Sequence, residues 1–488
     1  MTDLIVKELT MDSRRVKPGD LFIAVRGSSV DGRAYITNAI EKGAVAILAE
    51  FEKDFQLKKN FQKPVPIVEV PDLRKLTGHI AARFYSEPSK STPVIGITGT
   101  NGKTSTSHFI AQLLNFCEIP CAVMGTLGIG FLGSLNDLSC TTPDPIIVQR
   151  ALADLSRKGA KAVAMEVTSH ALEQSRVEGV HFHTAIFTNL TRDHLDYHGT
   201  LENYWLAKKK LFTEFQPAHS VINLDDEHGK ALIANELLRN KQAIIGYTTF
   251  SEIEDSLLPI LKNAITTHNL ILNDTGIKAF IRTPWGEGEL CCPLFGRFNL
   301  SNLLAAIAAV CLQGVPLATI LKKFPLIKPV PGRMTCLGGK SQMPLVIIDY
   351  AHTPDALMQV LTALRQHCHG KLWCVFGCGG DRDRGKRALM ASVAENFSDH
   401  FIITQDNSRT EDPKQICNDM IEGLKFPEKA MIEMDRKKAI DFAIQAANAG
   451  DVVVVAGKGH EDYQIIGTEK KPFSDQAEAQ QSLLRKII

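Results

Sequence analysis

Residues Ile95–Ser105 read IGITGTNGKTS, a short apolar run that turns through glycines into a polar helix start. Phe109, Ile110, Leu113 and Leu114 follow at helical spacing, so the segment predicts a strand, a glycine turn and an amphipathic helix. In such a turn the glycines let backbone amides wrap an anion. A lysine can neutralise the β- and γ-phosphates, and a hydroxyl next to it can ligate Mg²⁺. Gly99, Thr100, Asn101, Gly102, Lys103 and Thr104 are therefore expected to bind the phosphates of a nucleotide. The spacing departs from the strict GxxxxGK[ST] pattern, because Gly99 lies three residues before Gly102 and Gly96 six. The reading rests on the strand-turn-helix context.

Downstream, the runs CAVMG (121–125), AVAMEV (162–167), HTAIFTNL (183–190) and SVINL (220–224) each precede a polar or glycine-rich turn. Apolar runs separated by helical stretches predict an α/β fold with a mostly parallel sheet, whose ligands gather at the carboxyl ends of the strands. Glu166 and the cluster TNLTRDHLDYHG (188–199) fall at such ends. Carboxylate and imidazole groups beside a triphosphate suit Mg²⁺, although either residue taken singly is more often a cap or a surface hydrogen-bonder. The stretch 250–290, containing ILNDTGIKAF, reads as a meandering β insertion.

Two punctuated connectors divide the chain. SEPSKSTP (86–93) separates a small α/β segment, with LFIAV (21–25) and AVAIL (44–48), from the nucleotide loop, and IKPVPGRM (327–334) precedes a further series of strand-like runs. The expected domains are 1–89, 90–328 and 329–488, in keeping with a length of 488 residues that exceeds a single core. With 55 Lys and Arg against 54 Asp and Glu, no global field favours nucleic acid or an anionic membrane. No apolar run approaches the length of a membrane span and the first residues lack a signal pattern, so a cytoplasmic protein is expected. The 11 cysteines lack paired metal spacing and read as reduced thiols.

Taken in order, GTNGKT, EVTSHALEQSRV, TNLTRDHLDYHG, YWLAKKKLF, GRFNLSN, PGRM, DYAHTPDAL, GCGGDRDRGKR, DNSRTEDP and GKGHE resemble the Mur ligase family over nearly the whole chain. The resemblance implies a three-domain architecture: a UDP-sugar-binding first domain, a central P-loop ATPase domain and a C-terminal Rossmann-like domain that closes over the nucleotide and brings the amino acid. It implies an ATP-dependent, amide-forming ligase of peptidoglycan synthesis acting as a monomer with Mg²⁺. The implied catalytic set is Lys103, Glu166, His194 and Lys208. The metal ligands would be Thr104, Glu166, His194 and Lys208, the last carbamylated to N6-carboxylysine. Without the resemblance, Lys208 in its Lys-Lys-Lys run reads as a solvated charge.

By the same resemblance Asn299, Asn302, Arg333, Asp349 and His352 join the phosphate loop in binding ATP. Ser13, Thr141, Thr142, Thr168, Gln174 and Arg176 would bind UDP-N-acetylmuramoyl-L-alanyl-D-glutamate. Ser28-Ser29-Val30 stands where the family often has His-Gln-Ala, so uridine contacts there are open. Arg382, Asp406, Asn407, Arg409, Gly457 and Glu461 form the implied amino-acid pocket. Diaminopimelate-adding members usually carry Asp-Asn-Pro-Arg where this chain has Asp406-Asn407-Ser408-Arg409. Meso-diaminopimelate differs from lysine by a second carboxylate, which an arginine can clamp bidentately. The expected acceptor is therefore meso-diaminopimelate. A lysine-adding Mur ligase, a folylpolyglutamate-synthetase-like ligase and a nucleotide-binding scaffold without turnover are the alternatives.

Overall fold

The computed structural model describes residues 4–27, 30–53, 64–138, 140–237, 243–257, 261–273, 276–339, 343–366 and 368–487. Ser28 and Ser29, where the sequence departs from the family pattern, lie outside them.

Three sheets carry the architecture. The N-terminal sheet runs Glu8–Thr10, Asp20–Ala24, Ala46–Glu50, Ile67–Val70, with every neighbour parallel. The central sheet has eleven strands among the described residues. Its middle strand, Val94–Thr98, pairs in parallel with Ala162–Glu166 on one side and Phe182–Phe187 on the other. These strands are apolar and almost entirely buried, as expected of a sheet covered by helices on both faces. After Val94–Thr98 the chain builds first to one side, through Cys121–Gly125 and Ala162–Glu166, and then crosses to Phe182–Phe187 on the other. The reversal opens a crevice at the carboxyl end of Val94–Thr98, where the phosphate loop begins.

The stretch expected to be a β meander is one: Ala264–Asn273, Gly276–Thr283 and Gly286–Cys292 pair antiparallel. It extends the central sheet through Ala243–Tyr247 rather than standing apart from it. The C-terminal sheet places Leu345–Asp349, Val452–Ala456, Leu372–Phe376, His400–Ile403 and Met431–Ile432 in parallel, with Thr335–Gly338 antiparallel at one edge.

Helix starts sort by task. Asp144, Thr200 and Thr353 accept hydrogen bonds from amides of their own first turns, so those ends are closed. The helix Lys103–Phe116 begins after Gly102, at φ 86°, with no side-chain cap, which leaves its first amides for a ligand. No helix among the described residues is long and apolar enough to cross a membrane.

Candidate functional site

The phosphate loop is held in shape from beneath. Gly99 has φ 147°, and a Cβ there would sit 1.9 Å from Thr188 Oγ1. A Cβ on Gly102 would sit 2.4 Å from Asn302 Oδ1, so both positions need glycine for close approach as well as for conformation. Lys103 Nζ donates to the carbonyls of Gly99 and Thr100, both at 2.9 Å, and curls over its own loop. Burial pushes its pKa down, against the attraction of Glu166 and Asp193. Asn101 ties the loop to the C-terminal domain by donating to Asp355 Oδ2 at 3.2 Å.

Glu166, at the end of its strand, is 1% exposed and gathers three donors. Thr104 Oγ1 donates to Oε2 at 3.0 Å, Thr126 N to Oε1 at 2.8 Å and Thr126 Oγ1 to Oε2 at 3.1 Å. Arg333 Nη2 donates to Thr104 Oγ1 at 3.3 Å from across the domain boundary, its guanidinium lying 4.2 Å from the Tyr350 ring centroid. Thr104 and Glu166 thus offer the hard oxygens that suit Mg²⁺. His194, in a left-handed turn, has its pKa pushed down to about 3 by burial, so its imidazole is neutral and able to ligate. Among the described residues no group of three or more His, Cys, Asp or Glu is gathered closely enough to hold a metal. That donor set fits an ion that keeps waters and takes its remaining ligands from nucleotide phosphates.

Lys208 is fully enclosed. Its helix, Leu201–Thr213, buries Tyr204, Lys208, Leu211 and Phe212 at helical spacing, so Lys208 occupies the inward stripe. Nζ donates to Gly99 O at 2.7 Å and lies 4.4 Å from the Tyr204 ring centroid. Burial, with nearby Lys103, holds its pKa well below that of an ordinary lysine. A free ammonium cannot ligate a metal, whereas the neutral amine can take up CO₂, lose a proton and present anionic oxygens.

The central and C-terminal domains enclose a cleft of about 400 Å³. Asn299, Asn302, Arg333, Asp349 and His352 all line it, and Phe298, Ala356 and Val360 add apolar wall suited to a base. Asp349 accepts from the amides of Met334 and Ala351, both at 2.8 Å. Asp193, which the sequence reading passed over, is the hub of the seam. Its carboxylate lies 3.4 Å from His194 Nε2, 3.6 Å from His352 Nε2 and 3.5 Å from Lys386 Nζ. Burial would raise its pKa, but His352, Lys386 and His194 outweigh that and hold it well below the usual carboxylate range.

Thr141, Thr142, Thr168, Gln174 and Arg176 form one network beside Glu166. Thr142 Oγ1 donates to Glu166 O at 2.9 Å and accepts from Thr168 N at 3.3 Å. Arg176 donates to Thr142 O at 2.9 Å and to Gln174 Oε1 at 2.6 Å, while Thr141 Oγ1 meets Thr126 Oγ1 at 3.1 Å. Ser13 is buried in the N-terminal domain and shares no hydrogen bond with this network among the described residues.

The remaining expected group assembles at the carboxyl ends of the C-terminal sheet. Arg409, at φ 51°, is gripped through its backbone by the hairpin Tyr463–Ile466 and Glu469–Pro472: its N–H donates to Ile465 O at 3.1 Å, and its carbonyl accepts from Gly467 N at 2.7 Å. Its guanidinium donates to Gly380 O at 2.7 Å; burial and then neighbouring Arg382 lower its pKa. Ser408 is buried and accepts from Gln405 Nε2 at 3.0 Å, so the turn is fixed without a proline. Asn407 Nδ2 donates to Glu461 Oε2 at 2.9 Å, and Gly457, at φ 117°, lets Asp406 approach to 2.7 Å of where a Cβ would stand. Two arginines and one carboxylate at a sheet mouth can read a ligand with both a carboxylate and an ammonium.

Comparison with known proteins finds three family models in series: the Mur ligase family catalytic domain over residues 5–85, the Mur ligase middle domain over 97–310 and the Mur ligase glutamate ligase domain over 332–459. A Coxiella burnetii protein named UDP-N-acetylmuramoyl-L-alanyl-D-glutamate–2,6-diaminopimelate ligase is 48% identical over 481 residues, covering 99% of this chain and 96% of that one. A Pseudomonas putida protein of the same name is 47% identical over 485 residues, covering 99% and 95%. A solved structure with that name superposes with a TM-score of 0.69 at 37% identity, covering 99% of this chain and 96% of the other.

Proposed function

Since the chain belongs to the Mur ligase family, we propose that it is the ATP-dependent ligase that joins meso-diaminopimelate to UDP-N-acetylmuramoyl-L-alanyl-D-glutamate in peptidoglycan synthesis. The observation that carries this reading is that Arg409 and Arg382 both crowd Gly379 in the C-terminal domain, where Asn407 donates to Glu461 at 2.9 Å. A lysine acceptor has no second carboxylate to occupy the arginines. The full-length relatives named for diaminopimelate also weigh against the lysine-adding and folate-adding alternatives. Intact Lys103, Glu166, His194 and Lys208 speak against a scaffold.

The reaction has two displacements. The γ-carboxylate of the substrate's D-glutamate attacks the γ-phosphorus of ATP, the bond to the β-phosphate oxygen breaks, and an acyl phosphate and ADP result. The amine of diaminopimelate then adds to the acyl carbon, loses a proton, and phosphate departs to leave the amide. Lys103 and the free amides at the start of its helix offset charge on the transferring group, so catalysis is chiefly positioning and electrostatics. No side-chain nucleophile takes part. Mg²⁺ would supply further charge neutralisation, held by Thr104, Glu166, His194 and carbamylated Lys208.

Asn299, Asn302, Arg333, Asp349 and His352 are assigned to the rest of ATP, and Ser13, Thr141, Thr142, Thr168, Gln174 and Arg176 to the UDP-linked substrate. Arg382, Asp406, Asn407, Arg409, Gly457 and Glu461 are assigned to diaminopimelate. The corresponding domains are 1–89, 90–328 and 329–488. All these groups lie in one chain, so a monomer suffices, and the reaction is assigned to the cytoplasm, in keeping with ATP as its co-substrate.

Phosphate release by the purified protein with ATP, Mg²⁺ and the UDP-muramoyl-dipeptide tests the reading when meso-diaminopimelate is compared with L-lysine. The expected result is a strong preference for diaminopimelate that Arg409→Ala abolishes. Preference for lysine would sink the assignment of Arg409, and no release with either acceptor would sink the proposed reaction.

A further inference from the structure

Lys458 is fully buried, and its ammonium stands among three groups of the amino-acid pocket: Glu461 Oε2 at 2.9 Å, Asn407 Oδ1 at 3.1 Å and Asp406 Oδ1 at 3.8 Å. A buried ammonium needs such partners, since an unpaired charge away from water is costly. The arrangement also fixes its neighbours. Asn407 Oδ1 receives both Lys458 Nζ and the amide of Ile465, at 2.9 Å, and both of these only donate. The Asn407 amide can therefore face only one way, with Nδ2 donating to Glu461 Oε2 at 2.9 Å. Glu461 Oε2 is then occupied by Lys458 and Asn407, while Oε1 has no hydrogen-bond partner among the described residues.

The local charges follow. Arg436 is matched by Asp475, at 2.7 Å, with both side chains enclosed. That leaves Asp406 and Glu461 as two carboxylates, with Lys458 the buried cation that touches both. Without it the pocket, which also holds Arg382 and Arg409, would be one unit more negative next to the open Glu461 oxygen. A monocation such as lysine gains from that charge more than diaminopimelate, whose extra carboxylate is repelled by it.

We propose that Lys458 is a specificity-determining positioning residue: by orienting Asn407 and Glu461 and neutralising one pocket carboxylate, it sets the pocket to accept a zwitterionic amino-acid terminus and refuse a lone ammonium. The inference rests on the diaminopimelate reading above and extends it to a residue that touches the pocket from behind.

The test measures initial rates of phosphate release by the full chain with ATP, Mg²⁺ and the UDP-muramoyl-dipeptide, over a range of meso-diaminopimelate and of L-lysine. It compares the unsubstituted protein with Lys458→Met, Lys458→Arg and Glu461→Gln. Lys458→Met is expected to lower the ratio of kcat/KM for diaminopimelate over lysine at least tenfold, with KM for ATP unchanged. Lys458→Arg should recover most of the ratio. Glu461→Gln, which adds no buried cavity, should move the ratio the opposite way. Equal loss with both acceptors in Lys458→Met, or a Glu461→Gln ratio that falls or stays fixed, overturns the proposal, and the latter arm decides it if Lys458→Met does not fold. An unsubstituted protein that does not use diaminopimelate would instead overturn the assigned reaction and take this inference with it.

Discussion

Arg192 and Asp383 meet across the boundary between the central and C-terminal domains, with Nε 3.1 Å and Nη2 3.2 Å from the two oxygens of one carboxylate. Asp383 is buried and Arg192 half-exposed, so the pair is a forked contact on the seam between the two domains. Arg192→Ala should cost less than about 1 kcal/mol in stability, as for partly solvated pairs, yet raise KM for ATP severalfold because closure loses a geometric anchor. Steady-state kinetics beside urea unfolding check both halves. An unchanged KM would mean that closure does not depend on this pair.

Glu166 stands behind Thr104 and accepts from three donors at once. Glu166→Gln keeps the shape and can keep these partners, with Oε1 on the Thr126 amide and Nε2 donating to the two hydroxyls, but it removes the negative charge offered to Mg²⁺. A fall in kcat of about a hundredfold or more is expected, in the range of a lost electrostatic contributor, with the Mg²⁺ dependence shifted to higher concentration. A kcat within twofold of the unsubstituted protein would remove Glu166 from the catalytic set.

The Arg436–Asp475 pair is fully enclosed, with two contacts of 2.7 Å. Asp475→Asn leaves a guanidinium buried without its counter-charge and should destabilise the C-terminal domain by about 3–5 kcal/mol. Replacing both partners with apolar residues of similar size should cost much less. Thermal unfolding of the single and double variants distinguishes the two outcomes.

His108, on the helix after the phosphate loop, has its pKa pushed down to about 4 by burial and then by Arg333 and His460. The unfolded chain takes up this proton below about 6.5, whereas the folded chain resists until about 4. Stability is therefore unaffected above about 6.5 and is lost as pH falls through that window, by about 2 kcal/mol between pH 6.5 and 5 from this one group. Denaturation of the His108→Asn variant should show a correspondingly shallower pH dependence.

How far the sequence could be read depended on how local the cause was. The phosphate loop, the parallel core and the meander at Ala264–Cys292 follow from neighbouring residues. Lys208 was readable as a solvated charge or as a ligand, and the helical stripe of Tyr204, Lys208, Leu211 and Phe212 held the decisive signal. Asp193 was missed because Lys386 and His352, which make it a hub, arrive from distant parts of the chain. Lys458 was missed for the same reason: Glu461 is near in sequence, but Asp406 and Asn407 come from another strand end. The turn at Ser408, where diaminopimelate-adding members usually carry proline, is held by a hairpin some fifty residues on that grips Arg409, so its rigidity is not legible in the motif itself.

Arg382 to Glu461, the groups assigned to the incoming amino acid, lie on one contiguous length of chain and one sheet, whereas the nucleotide cleft is shared by two domains. Acceptor choice is thereby inheritable as a block. An exchange of the segment beyond the connector at Ile327 would transplant the preference of one ligase into another, provided the graft keeps Asp383 and Lys386 to match Arg192 and Asp193 of the recipient. The seam, rather than the pocket, sets which chimaeras can work.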